Sequence, residues 1–298
     1  MKLEQLRDLV AIVEHGSLRA AARHLGLQQP ALTRSIRALE RELGVALFER
    51  DRRGMTLTES GRLLHRRASG VVNDVRRARD EIAQATGGTS GSLVVGLSIM
   101  PHVGMLPHML PDFKLRYPAV KLTIIEGLFP DLESRLRSGM LDFYIGVAPR
   151  QTPAPGLISK LLFENTRAVV GRVGHPMAKA RSLAQLTSAE WATPSIDYKS
   201  EEDMSEVFAT HCLPPPRVTL QVASALSLMV ALARSDLLAL LPIQWSEFAL
   251  TRDALRVIPV KERLEAPSIV MISRSDLPLT PAAEHFLDLM LRHAPTPA

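Results

Sequence analysis

Glutamine and arginine side chains are concentrated on one stretch of the chain, residues 28–44, where their spacing suits contact with a polyanion. Arg34, Arg37 and Arg41 recur at steps of three and four residues, so they share one side of an α-helix. A guanidinium can pair with a phosphate or with guanine, and a glutamine can pair with adenine. Gln29 stands at the start of this helix, the end that reaches base edges in the major groove. The segment therefore favours DNA recognition; an ordinary solvated helix surface is the alternative.

The opposite side of this helix is apolar, and two further helices are predicted before it. The apolar side consists of Leu32, Ile36, Leu39 and Leu43. A first amphipathic helix ends before Gly16, and Ser17 can cap a short second helix that Gly26 ends. Pro30 suits the first turn of the third helix, and Gly44 suits its end. This order of elements is typical of a helix-turn-helix.

A charged hairpin, or wing, is predicted after the helix-turn-helix. Residues 49–58 favour two short strands around a turn at Arg53-Gly54. Arg50, Arg52 and Arg53 would then face phosphates or the minor groove. A solvated hairpin without DNA contact is the alternative.

A long helix follows the hairpin, with Thr58 as its predicted cap. Its apolar positions alternate in steps of four and three, as in a coiled-coil seam: Leu64, Ala68, Val71, Val75, Ala78, Ile82 and Ala85. We expect a second copy of the chain to cover this seam and form a dimer. Packing of the seam on its own chain is the alternative. Residues 87–91 read as a glycine-rich hinge.

The net charge of +5 lies entirely in the N-terminal part of the chain. The first 86 residues hold 16 Lys and Arg against 11 Asp and Glu, whereas the rest of the chain carries 20 of each. A basic head on a neutral body is typical of a protein that binds a polyanion.

Residues 1–65 resemble the N-terminal winged helix-turn-helix of the LysR-type transcriptional regulators. The matching run comprises residues 6–13, Gly16-Ser17-Leu18, Ala20-Ala21-Ala22, Leu25, Gln29-Pro30-Ala31-Leu32, Ile36, Leu39-Glu40, Leu43-Gly44, residues 47–50, Gly54, Leu57-Thr58 and Gly61. Gln28 departs from the usual Ser of the family, and Thr33 stands where Ser is common, which bears on operator preference. The residues expected to contact DNA are Ser17, Arg19, Gln28, Gln29, Pro30, Thr33, Arg34, Arg37, Arg50, Arg52 and Arg53.

Beyond the hinge, strands and helices alternate, which predicts an α/β fold with a largely parallel sheet. We expect a strand at residues 93–98, a helix at 103–117, and a C-terminal strand and helix that return to the first α/β unit. Leu141-Asp142, His175-Pro176 and the order of elements resemble the regulatory half of the same family, and the resemblance implies a periplasmic-binding-protein-like domain of two α/β subdomains. The expected domains are a winged helix-turn-helix at 1–58, a linker helix at 59–86, a hinge at 87–91 and an effector-binding domain at 92–298, with subdomain one at about 92–161 and 267–298 and subdomain two at about 162–266.

Ligands of open α/β sheets bind beyond the carboxyl ends of the strands, so the effector is expected there. The candidate residues are Ser98, Met100, His102, Phe129, Gly146, Ser195, Tyr198, Ser200, Ser224 and Ile243. Several of them stand at helix starts, which favour an anion, and we expect an aromatic or aliphatic carboxylate or sulfonate. Helix capping is the alternative for the serines, core packing for the apolar residues and a polar loop position for the histidine.

Other classes of protein fit the sequence less well. Cys212 is the single cysteine, and no histidine spacing or glycine-rich phosphate loop points to a metal, a cofactor or an enzyme. No apolar run reaches membrane-spanning length, and the N-terminal segment is charged, so we expect a cytoplasmic protein and not an exported solute-binding protein. An architectural DNA-coating protein is a further alternative. The family resemblance implies a regulator that binds promoter DNA as a dimer or tetramer and controls RNA polymerase in response to its effector.

Overall fold

The computed structural model describes residues 1–51, 54–194, 200–222, 224–248 and 251–294. Contacts divide the chain into two compact units, one of Met1–Gly88 with Ser134–Leu141 and one of Thr89–Glu133 with Asp142–Ala298. Below, the first is called the head unit and the second the body unit.

The head unit contains helices and a two-stranded antiparallel ribbon. In chain order these are α1 (Leu3–His15), α2 (Leu18–Leu25), α3 (Gln29–Leu43), β1 (Phe48–Asp51), β2 (Gly54–Leu57) and α4 (Glu59–Ala85). Gly16, Gly26 and Gly44 follow the first three helices with φ of 68°, 67° and 69°, the left-handed conformation in which a helix ends without a side-chain clash. Ser17 Oγ accepts a hydrogen bond from Ala20 N at 3.2 Å, so the predicted cap of α2 is confirmed.

The core of the head forms between α1, α2, α3 and the start of α4. Its fully buried residues include Leu9, Leu32 and Ala21, with the ribbon residues Phe48 and Met55 packed against it. The predicted apolar side of α3 is wrong at its last position: Leu43 is 40% exposed, because it lies in the final turn before Gly44.

The single continuous seam predicted for α4 is wrong in its first part. Leu64 and Ala68 pack into the core of their own head, so the alternative of intrachain packing holds for these two residues. Farther along, Val71 is 46% exposed and Ile82 is 68% exposed. Ala78 is also exposed, whereas Val75 is partly buried. The helix therefore serves the head core at its start and presents an apolar stripe afterwards.

The start of α4 fits closely against the chain that precedes the ribbon. Thr58 Oγ1 accepts from Gly61 N at 3.0 Å, which confirms the predicted cap, and donates to Ala46 O at 2.7 Å. A Cβ atom at Gly61 would lie 2.0 Å from Leu47 O, so this position accepts only glycine without a shift of backbone. Arg77, near the middle of α4, is buried and donates through Nη2 to Leu141 O at 3.4 Å.

The body unit is a mixed α/β unit. Its elements are β3 (Ser90–Leu97), α5 (Ile99–Gly104), α6 (Leu106–Arg116), β4 (Ala119–Glu126), α7 (Phe129–Arg137), β5 (Phe143–Val147), β6 (Leu157–Arg172), β7 (Glu190–Pro194), α8 (Ser200–Thr210), β8 (Arg217–Val222), α9 (Ala225–Arg234), β9 (Leu237–Pro242), α10 (Gln244–Glu247), β10 (Leu255–Ile258), β11 (Leu264–Arg274) and α11 (Pro281–Arg292), of which the last part of α7 counts with the head unit. The described strands form one sheet in the order β4-β3-β5-β11-β6-β9-β7-β8, with β10 paired to β6.

The parallel prediction holds for β4-β3-β5 and for β8-β7-β9. The long strands β6 and β11 between them pair antiparallel with each other and with their other neighbours. The C-terminal strand and helix return to the first α/β half as predicted, since β11 pairs with β5 and Phe286 of α11 lies in the core with Phe113 of α6. A second half has its own cores around Trp191 and Trp245.

Two predicted elements of the body differ from the structure. The helix expected at residues 103–117 is two helices separated at Met105, because Pro107 has no N–H to donate and fits only the first turn of α6. The first strand begins at Ser90, inside the segment predicted as a hinge, because it pairs in parallel with β4 from Ala119 onward.

Candidate DNA interface and effector cavity

The predicted reading side of α3 is open to solvent. The exposed residues include Gln28, which is the N-cap, and Gln29, Pro30, Arg34 and Arg37. Thr33 is partly buried and donates its hydroxyl proton to Gln29 O at 3.0 Å, so its methyl group and the acceptor lone pairs of its oxygen remain available for recognition.

Two further predicted residues lie at the start of α2. Arg19 is exposed and adjacent to Ser17, whose Oγ already accepts from the helix backbone. The Ser17 hydroxyl can still donate to a phosphate, because the cap uses only an acceptor lone pair.

An open groove runs along the basic side of α3. It is lined by Arg34, Arg37, Glu40, Arg41, Gly44, Val45 and Ala46. The carboxylate of Glu40 is held by the backbone and not by these arginines: its Oε1 accepts from Leu47 N at 2.8 Å and Phe48 N at 3.3 Å. Three guanidinium groups on one exposed helix side can contact consecutive phosphates.

The predicted wing is present as the ribbon of β1 and β2, in which Arg50 pairs with Met55. Arg52 and Arg53, at its turn, lie outside the described residues, as does the side chain of Arg50. The structure therefore confirms the hairpin, and the contacts of its arginines stay a prediction.

The body unit contains a cavity of about 200 Å³ between its two halves. Its lining is mostly apolar and is formed by Ser98, Ile99, Met100, Leu128, Phe129, Pro130, Val147, Ala148, Pro149, Arg150, Asn165, Arg167, Pro194, Asp203, Leu240, Leu241, Pro242, Ala266 and Pro267. The cavity adjoins the carboxyl ends of β3, β4 and β5, the edge at which open α/β sheets bind ligands. It also adjoins a register shift in β11 between Ala266 and Ile269.

Three of the predicted effector residues, Ser98, Met100 and Phe129, line this cavity. Ser98 Oγ is buried and makes no well-formed hydrogen bond among the described residues, although the Tyr144 hydroxyl is adjacent. Burial raises the pKa of the Tyr144 phenol, which stays protonated and donates to Val147 O at 3.3 Å. Ser98 therefore retains hydrogen-bonding capacity for a ligand.

Four predicted effector residues do not line the cavity: His102, Gly146, Ser224 and Ile243. Gly146 lies behind the wall, where a Cβ atom would meet the Tyr144 hydroxyl at 2.2 Å and Ser98 Cβ at 2.6 Å. His102 lies within α5 with its Nδ1 buried, and Ser224 and Ile243 are exposed, Ile243 by 40%. Ser195 and Tyr198 lie outside the described residues, as does the side chain of Ser200.

The charged residues of the cavity were missed by the sequence analysis. Arg167 Nη1 donates to Asp203 Oδ2 at 2.6 Å, and Arg150 Nη2 donates to Asp203 Oδ1 at 3.2 Å. Arg150 Nη2 also contacts Glu206 Oε2 at 3.3 Å. No distinct signal in the sequence marks Arg167, because it follows the polar residues 164–166 in the same strand.

In the described ranges, no group of three or more His, Cys, Asp or Glu side chains is placed to hold a metal ion. Within the same part of the chain, none of the helices combines the length and the apolar character needed to cross a bilayer.

Comparison with known proteins assigns both parts of the chain to one family. Residues 3–62 match the bacterial regulatory helix-turn-helix protein, lysR family, and residues 86–295 match the LysR substrate binding domain. The HTH-type transcriptional regulator GbpR of Azospirillum brasilense is 26% identical over 286 residues, 95% of this chain and 84% of the relative. The SDS degradation transcriptional activation protein of a Pseudomonas species is 28% identical over 292 residues, 97% of this chain and 95% of the relative.

A solved structure shows the same fold over nearly the whole chain. Full-length CbnR complexed with its target DNA superposes with a TM-score of 0.68 at 23% identity, covering 99% of this chain and 100% of CbnR. The family matches span most of the sequence, and the family consists of regulators and not of enzymes. The chain belongs to the LysR family of DNA-binding transcriptional regulators that carry an effector-binding domain.

Proposed function

We propose that α3 reads a specific operator through its N-terminal residues. The observation that carries this proposal is that Gln28, Gln29 and Arg34 are exposed in the N-terminal part of α3. The other two arginines of the helix lie closer to its C-terminus. Glutamine and arginine at the start of a groove-bound helix can make bidentate contacts with adenine and guanine. The CbnR complex supports DNA binding, since a protein of this fold is complexed with its target DNA in that structure.

The remaining basic side chains contribute affinity and little sequence preference in this proposal. Arg19 and Ser17 at the start of α2, and Arg37, Arg50, Arg52 and Arg53 beyond it, would contact phosphates or the minor groove. Each phosphate neutralised by an arginine releases counterions, so binding weakens as salt increases.

Selection of bound sequences from random DNA tests this proposal. The expected result is an interrupted palindrome, because two recognition helices of a symmetric dimer read equivalent half-sites. An even distribution of recovered sequences would contradict it and favour an architectural DNA-coating protein instead.

The effector proposed for this regulator is a small molecule with an apolar body and one anionic group, such as an aromatic or aliphatic carboxylate or sulfonate. The cavity of about 200 Å³ is smaller than most ligand pockets, so it suits a compact molecule. Met100 and Phe129 provide apolar wall, Ser98 provides an available hydroxyl, and Arg167 provides a cation. Ser195, Tyr198 and Ser200 remain candidate contacts from the second half.

Filling the cavity tests the effector site. Ala148 is partly buried and lines the cavity, so Ala148→Leu should occupy the space and abolish thermal stabilisation by any effector. DNA binding should persist, because Ala148 belongs to the body unit. A variant that still responds to an effector would place the binding site elsewhere.

The proposed assembly is a dimer through the exposed stripe of α4, formed by Val71, Val75, Ala78 and Ile82, and a tetramer from two such dimers. Val71 and Ile82 support the stripe because both are large apolar residues exposed to solvent in a single chain. In this proposal the protein acts in the cytoplasm, and effector binding changes DNA bending and the access of RNA polymerase.

A further inference from the structure

The arginines of the effector cavity are already paired with a carboxylate of the protein itself, Asp203. Asp203 accepts from Arg167 Nη1 at 2.6 Å, which is a short, charge-assisted contact, and from Arg150 Nη2 at 3.2 Å. Both oxygens of Asp203 are therefore engaged by arginines that line the same cavity.

The two arginines differ in how firmly they are held. Arg167 lies on β6, its side chain is 14% exposed, and its Nε donates to Glu265 O at 3.0 Å. Arg150 follows β5, is 44% exposed, and divides its contacts between Asp203 and Glu206. Arg167 is thus the fixed cation of the site, and Arg150 is the movable one.

An unpaired, largely buried guanidinium would be costly, so Asp203 stabilises the effector-free cavity. The same pairing blocks the group that an acidic effector needs. We propose that Asp203 is a built-in competitor, which an effector carboxylate or sulfonate displaces from Arg167. This inference rests on the proposed effector site and names the group that the effector must replace.

Displacement would also have a structural consequence. Asp203 lies on α8, whereas Arg150 lies on the segment after β5 in the other half of the body unit. When the effector takes Arg167 and moves Asp203 away, the Asp203–Arg150 contact is lost, and only the Arg150–Glu206 contact remains of the two ionic contacts that α8 makes with Arg150. Effector chemistry is thereby coupled to the relative position of the halves.

The contrary arrangement assigns Asp203 a direct role in binding. If the effector carried a cationic group, Asp203 would pair with that group and its removal would weaken binding. The two arrangements predict opposite effects of neutralising Asp203, so one comparison decides between them.

Asp203→Asn and Asp203→Ala in the full-length protein test the proposal. The probes are sodium acetate, butyrate, hexanoate and benzoate, each compared with sodium chloride at equal ionic strength by thermal unfolding and calorimetry. We expect the Asn variant to bind the carboxylates roughly tenfold more tightly than the parent protein. We expect the Ala variant to unfold at a lower temperature in chloride and to recover in saturating acetate, which replaces the lost carboxylate.

Glu202→Gln is the matched control, because it removes the same charge from an exposed position of α8 and Glu202 does not line the cavity. It should bind the probes as the parent protein does. Equal or weaker binding by Asp203→Asn, or no carboxylate binding in any protein, would overturn the proposal. Footprinting of the same variants on operator DNA separates this outcome from a failure of the regulator assignment, since DNA binding should be retained throughout.

Discussion

Ile82 offers a direct test of the proposed dimer. Its side chain is 68% exposed in the single chain and lies beyond the part of α4 that packs into the head core. Complete burial of an isoleucine contributes about 1.5–3 kcal/mol. The dimer would bury the exposed two thirds of Ile82, and truncation to alanine would remove about 1 kcal/mol of that association energy per chain. A symmetric dimer contains the residue twice, which gives a loss of about 2 kcal/mol, or roughly 30-fold in the dissociation constant.

Sedimentation equilibrium over a range of protein concentrations measures this constant. Ile82→Ala should raise it without lowering the stability of the head, because little of the side chain is buried in one chain. Leu64→Ala is the matched control on the same helix. Leu64 packs into the head core, so its truncation should destabilise the head by about 2 kcal/mol or more.

The two variants distinguish a loss of head stability from a loss of dimer affinity. If Leu64→Ala weakened the dimer while Ile82→Ala left the dissociation constant unchanged, the exposed stripe of α4 would not be the interface. Urea unfolding at a fixed dimer occupancy supplies the independent measure of head stability that this comparison needs.

The remaining predictions concern the head. Arg34→Ala should cost about 1–3 kcal/mol on the selected operator and much less on unrelated DNA, as measured by filter binding; equal losses on both would assign Arg34 to phosphate contact. Gly61→Ala should destabilise the head by about 1–3 kcal/mol in urea unfolding, since its Cβ would meet Leu47 O at 2.0 Å, whereas Gly70→Ala should be neutral or stabilising because its Cβ has ordinary contact distance. Burial raises the pKa of Asp8, and a raised carboxyl pKa gives stability that is present at acidic pH and lost as pH rises through the folded value. Asp8→Asn should therefore stabilise the head at neutral pH and lose this advantage below about pH 4; a constant difference across pH would refute the assignment.

The head could be predicted almost element by element because its signals are local. Glycines in the left-handed conformation end α1, α2 and α3, and Ser17 and Thr58 cap the helices that follow them. Each of these signals acts within four residues of the chain, the range over which sequence spacing maps directly onto helix geometry.

The cavity was predicted only in part, because its chemistry comes from residues far apart in sequence. Ser98 and Phe129 could be found as the ends of predicted strands, but Arg150 and Arg167 meet Asp203 across separations of 53 and 36 residues. No periodicity reports such a pairing. The division of the α4 seam was equally hidden, since Leu64 and Ile82 both lie on the same predicted a/d seam and only the fold distinguishes them.

The packing of Leu64 and Ala68 into the head has a mechanical consequence. The first turns of α4 are a structural part of the head, and the helix extends about 27 Å from Leu64 to Ile82. A rotation of α4 would turn α3 through the same angle, because both helices share one core. The spacing of the recognition helices of paired chains would then change by rigid-body rotation, with no rearrangement inside either head.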